Sequence, residues 1–129
     1  MIPELWIRSS LWLTAPFNFL AAYVFAFPLS DIGLFLQVPA QQPGFYTLFS
    51  GLMVGLFGVA YVWNALQPKI NKPLLAVGAL GKLIAFSLSA LLFLLDLFLG
   101  FALSLIAGDL ILGVFWLVWL WTDSGGPAN

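Results

Sequence analysis

Cysteine and histidine are both missing from the 129 residues. Disulfides, thiol nucleophiles and thiolate clusters are therefore excluded, and so is any His- or Cys-ligated metal or haem. Charge is nearly as scarce. The chain has 4 Lys and Arg against 5 Asp and Glu, so only 7% of it is charged and the net charge is −1. A soluble domain carries about 25% charged residues. No basic patch is present, which removes nucleic acid from the candidate partners. Any chemistry of this chain alone must come from Glu4, Arg8, Asp31, Lys69, Lys72, Lys82, Asp96, Asp109 and Asp123, with Tyr23, Tyr46 and Tyr61. These residues form no nucleophile–base set, metal-ligand spacing, phosphate loop or dinucleotide fingerprint.

What the chain does have is apolar surface: 63% of it is hydrophobic and 17% aromatic. A water-soluble chain of this length cannot hide so much, so the bilayer is expected to be the solvent for most of it. Four segments meet the requirement of ~20 apolar residues per span. They run from about Leu11 to Pro28, Phe45 to Leu66, Leu74 to Phe98 and Phe101 to Trp121. Backbone in lipid must satisfy its own hydrogen bonds, and segments this long are too long for barrel strands. The expected fold is an all-α, integral membrane four-helix bundle in a single domain.

Turn chemistry marks the breaks. Pro28 with Ser30 and Asp31 ends the first span, and Pro39, Pro43 and Gly44 precede the second. The stretch from Gln67 to Pro73 separates the second from the third, with Pro73 suited to a helix start. The turn at Leu99-Gly100 is short enough to make the third and fourth helices antiparallel neighbours. Ile32-Gly33-Leu34-Phe35-Leu36 is too short to span and is expected as a short interfacial helix capped by Ser30 or Asp31. Arg8 and Val24-Phe25-Ala26 also fit a cleavable signal, but Pro16 and Asn18 interrupt the apolar region, so the first span is read as retained. Ser124 to Asn129 reads as a flexible tail.

Lys69 and Lys72 place the middle loop in the cytoplasm by the positive-inside rule, and Arg8 agrees. With four spans both termini then face the cytoplasm. Trp6, Trp12, Trp63, Trp116, Trp119 and Trp121 all map to that side, where an indole ring is expected at the wet interface.

Two charges lie inside the spans. Each costs at least ~2.5–3.5 kcal/mol at bilayer depth. Helix rise puts Lys82 ~12 Å from the cytoplasmic end of the third span and Asp109 ~18 Å from it on the fourth. An extended lysine covers the difference, so an ion pair is expected. Asn18 on the first helix, and Tyr61 and Asn64 on the second, are candidates to complete a polar layer around it. Asp109, Gly113 and Trp116 share a face of the fourth helix. Lys82, Ser89 and Asp96 share a face of the third, with Asp96 at its outer end. Small residues form two stripes, Gly51, Gly55 and Gly58 on the second helix and Gly78, Gly81, Ala85 and Ser89 on the third. Such stripes let helices approach closely in lipid, within one chain or between copies and partners.

The pattern Gly55-x-x-Gly58-x-x-Tyr61, then Gly81-Lys82, then Gly108-Asp109-Leu110, with Asn18 in the first span, resembles a set of small four-span bacterial membrane proteins of the DoxX-like type. The resemblance covers all four spans. It implies a four-helix bundle with a shared Lys/Asp layer in a bacterial plasma or internal membrane, and implies no particular reaction.

Three roles compete. The sequence favours a non-catalytic accessory or scaffold subunit of a larger membrane complex, or a homo-oligomer, with the apolar perimeter and glycine stripes making the contacts. The alternative is a binder or carrier of a small hydrophobic molecule or a proton, which requires a cavity beside Lys82 and Asp109. In an enzymatic role the same two groups would act as acid and base on a lipid-soluble substrate. The cofactor, if any, is unspecified. Aromatic residues and the amides of Asn18, Asn64 and Gln67 leave room for a bound lipid, quinone or pigment.

Overall fold

A computed structural model of the chain describes residues 2–38, 42, 44–98 and 100–124, with the backbone alone at 101, 102 and 124. Five helices follow in order: α1 (Glu4–Ala26), α2 (Asp31–Phe35), α3 (Phe45–Leu66), α4 (Lys72–Leu94) and α5 (Gly100–Ser124). Among the described residues, four helices are long and apolar enough to cross a membrane. Pro39, Pro43, Leu99 and the tail residues 125–129, on which the turn and tail expectations rest, lie outside the described residues.

The first helix begins earlier than Leu11. Pro3 is extended at its N-cap, and Glu4 opens the first turn, where a carboxylate is favoured by the helix dipole. Glu4 and Arg8 then pair at 2.8 Å, one turn apart. Polarity in this stretch marks the first turn of the helix rather than a loop. Pro16 lies within α1, which runs on to Ala26. Ser30 is the cap of α2, its hydroxyl accepting from the Gly33 N–H at 3.2 Å. A Cβ at Gly33 would lie 2.4 Å from the Pro28 carbonyl oxygen, so only glycine lets α2 fold back on the end of α1.

The α3 bounds coincide with the expected second span, and the Thr47 hydroxyl caps its start by accepting from the Gly44 N–H at 2.8 Å. The third span is corrected at both ends. Asn71 caps α4 through Leu74 N–H at 2.9 Å, so the helix starts at Lys72. It stops at Leu94, not Phe98. Asp96 takes a left-handed φ of 56°, and nested bonds from Asp96 N–H to Phe93 O and from Leu97 N–H to Leu92 O close the terminus. Asp96 is therefore beyond the helix and does not share its face with Lys82 and Ser89.

The long helices pack as two hairpins. α1 lies along α3, and α4 lies along α5. Glycine makes each contact close. A Cβ at Gly51 would meet the Ala22 carbonyl oxygen at 2.6 Å, and one at Gly113 would meet Leu83 at 3.0 Å and the Ala79 carbonyl oxygen at 3.2 Å. Among the described residues the buried cluster that joins the hairpins lies at one end. There Ile7, Leu11, Ala15, Tyr61, Ala65, Ile70, Leu75, Ala79, Trp116 and Trp119 form one buried cluster.

Polar groups fasten the same end. The Arg8 guanidinium donates to the carbonyls of Ala65 and Gln67, which α3 leaves unpaired at its C-terminus. Glu4 accepts from the Ile70 N–H at 3.3 Å. Lys72 pairs with Asp123 at 2.5 Å, and the Trp119 indole donates to Ile2 O at 3.1 Å. The start of α1, the end of α5 and the α3–α4 loop thus lie together. Toward the other end no comparable cluster joins the hairpins among the described residues, and the space between them is a cavity of about 450 Å³.

Candidate functional site

Lys82 projects from α4 at the boundary between the buried cluster and this cavity. Its Nζ donates to Asp109 Oδ1 of α5 at 2.8 Å. The ammonium also lies 5.2 Å from the centre of the Tyr61 ring and 5.7 Å from that of Trp116. Those two rings meet edge-on at 5.3 Å, so the cation is held between aromatic faces and one carboxylate. Cation–π contacts of this kind are worth about 2 kcal/mol each when desolvated. The two partners differ in exposure: the Lys82 side chain is 4% accessible, the Asp109 side chain 31%. The lysine belongs to the core, and the carboxylate opens toward the cavity that both residues line.

Trp116 is itself positioned. Its indole N–H donates to Ser10 Oγ at 2.8 Å, and the Ser10 hydroxyl donates to Ile7 O at 2.6 Å. A residue of α1 thereby orients a residue of α5 that walls the lysine. This departs from the interfacial role expected of Trp116 and Trp119, both of which are buried. Trp6, Trp12, Trp63 and Trp121 are exposed. Trp116 shares a face with Asp109, which was the available signal in the sequence; that it walls the lysine depends on the packing of α4 and α5.

The other candidate residues divide. Asn18 and Tyr61 line the cavity with Lys82 and Asp109. Asn18 donates its amide to Val54 O at 3.1 Å, bridging α1 and α3. Tyr61 contributes its ring to the lysine. Asn64 is not brought to the pair. It holds the α3–α4 loop, accepting from Asn71 N–H at 2.7 Å and donating to Asn71 O at 3.2 Å. Gly51, Gly55 and Gly58 face α1, opposite Ala22, Ala26 and Phe19, and Gly81 receives the Phe57 ring of α3. Ala85 and Ser89 line the cavity instead of a helix seam, with the Ser89 hydroxyl donating to Ala85 O at 2.8 Å. Among the described residues no three carboxylates gather to hold a metal. The remaining lining is largely aliphatic and aromatic, from Phe17, Val24 and Phe25 on α1 to Leu105 and Ile106 on α5. Leu36 and Val38, just beyond α2, also reach the cavity.

This geometry offers one Lys–Asp pair, joined at 2.8 Å, at the edge of an apolar cavity. Comparison with family models, with curated proteins and with solved structures finds no match.

Proposed function

We propose that the chain is an integral membrane four-helix protein that binds a small hydrophobic molecule in the cavity between its two hairpins, with the Lys82–Asp109 pair as the polar contact. One observation carries this reading: the carboxylate of an otherwise buried ion pair faces an apolar cavity of about 450 Å³. Ligand sites are commonly apolar clefts of ~300–1,000 Å³ with a few placed polar groups.

The accessory-subunit reading rested on glycine stripes free for other chains. Gly51, Gly58 and Gly81 are each taken up by a neighbour in the same chain, which leaves the apolar perimeter as its remaining support. Arg8, Lys69 and Lys72 gather at the fastened end, and this supports a cytoplasmic location for that end and for both termini. A bacterial plasma or internal membrane follows from the family resemblance.

Gentle isolation from the native membrane, followed by native mass spectrometry, tests the reading. A small molecule retained near one per chain, and lost in Ala85→Trp, supports it. A protein partner at fixed stoichiometry with no small molecule retained would return the accessory role.

A further inference from the structure

The two members of the ion pair are unequal in what they leave for a ligand. A lysine ammonium has only donors, and an ionised carboxylate only acceptors. Lys82 directs Nζ to Asp109 Oδ1 at 2.8 Å and is otherwise enclosed by Tyr61 and Trp116. With its side chain 4% accessible it has little to offer, whereas Asp109, which lines the cavity, is 31% accessible. The polar feature presented to a guest is therefore an acceptor.

Charge narrows the choice. The pair already sums to zero in apolar surroundings. An anionic head would meet the carboxylate directly. A cationic head on the other Asp109 oxygen would leave the site with a net positive charge in apolar surroundings, which is unfavourable. A head with acceptors alone would face an acceptor and leave its own polar atom desolvated.

We infer that the cavity takes a neutral amphiphile with a hydrogen-bond-donating head, a hydroxyl on an apolar chain or ring body, and that this hydroxyl donates to Asp109. The inference rests on the binding reading above and deepens it.

The full-length protein in phosphatidylcholine nanodiscs is offered an equimolar mixture of 1-dodecanol, 2-dodecanone, dodecanoate and dodecylammonium. Retained probe is counted by mass spectrometry and normalised to protein-free discs. Dodecanol is expected to exceed each of the others by about tenfold, the weight of one hydrogen bond to a charged group. In Lys82→Met/Asp109→Leu, which removes both charges and so avoids an orphaned lysine, the preference should vanish while chain retention persists. Ala85→Trp, which places an indole in the cavity, should sharply reduce retention of all four. Equal retention of the heads, or preference for another head, overturns the hydroxyl inference and leaves the binding reading standing. Retention indifferent to Ala85→Trp, or none above protein-free discs, overturns the binding reading itself.

Discussion

Ser10 and Trp116, 106 positions apart, share a 2.8 Å hydrogen bond that ties the first long helix to the last and orients one wall of the Lys82 enclosure. Ser10→Ala leaves a buried indole N–H without its acceptor. Stability in detergent should fall by about 1–2 kcal/mol, read as an earlier midpoint in SDS or thermal unfolding. Ser10→Thr retains the hydroxyl and should recover most of the loss.

The ion pair gives a second expectation. Asp109→Leu strands a buried ammonium and should destabilise the protein by about 2–4 kcal/mol, less than a sealed pair because the carboxylate is partly open. Lys82→Met should cost less, since the Asp109 side chain is already 31% accessible. The double variant Lys82→Met/Asp109→Leu should be more stable than Asp109→Leu alone. A double-mutant cycle on unfolding midpoints checks the sign and size of the coupling.

Two helical glycines should respond in opposite directions. At Gly51 a methyl would press on the Ala22 carbonyl oxygen, a backbone atom that cannot swing aside. Gly51→Ala should therefore part α1 from α3 and cost about 1–3 kcal/mol. At Gly108 a Cβ meets nothing within 4 Å. Gly108→Ala should be neutral or stabilising by up to about 1 kcal/mol, through helix propensity alone. Parallel thermal melts of the two variants decide the matter.

Asp96 occupies the left-handed position that ends α4, at φ 56°. Glycine takes that conformation without steric penalty, so Asp96→Gly should raise stability by about 0.5–1 kcal/mol. Asp96→Val should lower it, because a β-branched side chain is a poor occupant of that region. Unfolding midpoints of the two variants should therefore bracket the wild type.

The sequence is a good guide where one physical signal dominates. Phe45 to Leu66 is an uncharged, largely apolar run flanked by turn residues, and α3 has those bounds. Lys82 and Asp109 meet because a short turn and helix rise fix their relative depth. Elsewhere signals competed. Glu4 and Arg8 look like a polar flank, yet they form the first turn of α1 by pairing with each other and with the end of α3. Asp96 keeps a seven-residue spacing from Ser89, but a terminus closed by backbone bonds overrides periodicity. Asn64 lies one turn from Tyr61 and still turns to the loop, where two Asn71 backbone groups need partners. The cavity had no local signature. A leucine facing lipid and a leucine facing an internal chamber are the same letter, and only the packing of α1 on α3 and of α4 on α5 separates them.

Under the proposed membrane location, that packing also bears on how the chain would insert. Lys82 and Asp109 lie on consecutive helices of one hairpin, while the other hairpin carries no charge in its middle turns. An α4–α5 unit that closes before meeting α1–α3 is already electrically neutral at depth. Neither ion then has to cross lipid alone, and the penalty of ~2.5–3.5 kcal/mol that each would carry separately is relieved within the unit. Assembly of the two halves becomes a docking of apolar surfaces, fastened afterwards by Arg8, Ser10 and Trp116. Translation order and electrostatics point the same way: each half can insert as a self-sufficient pair of helices.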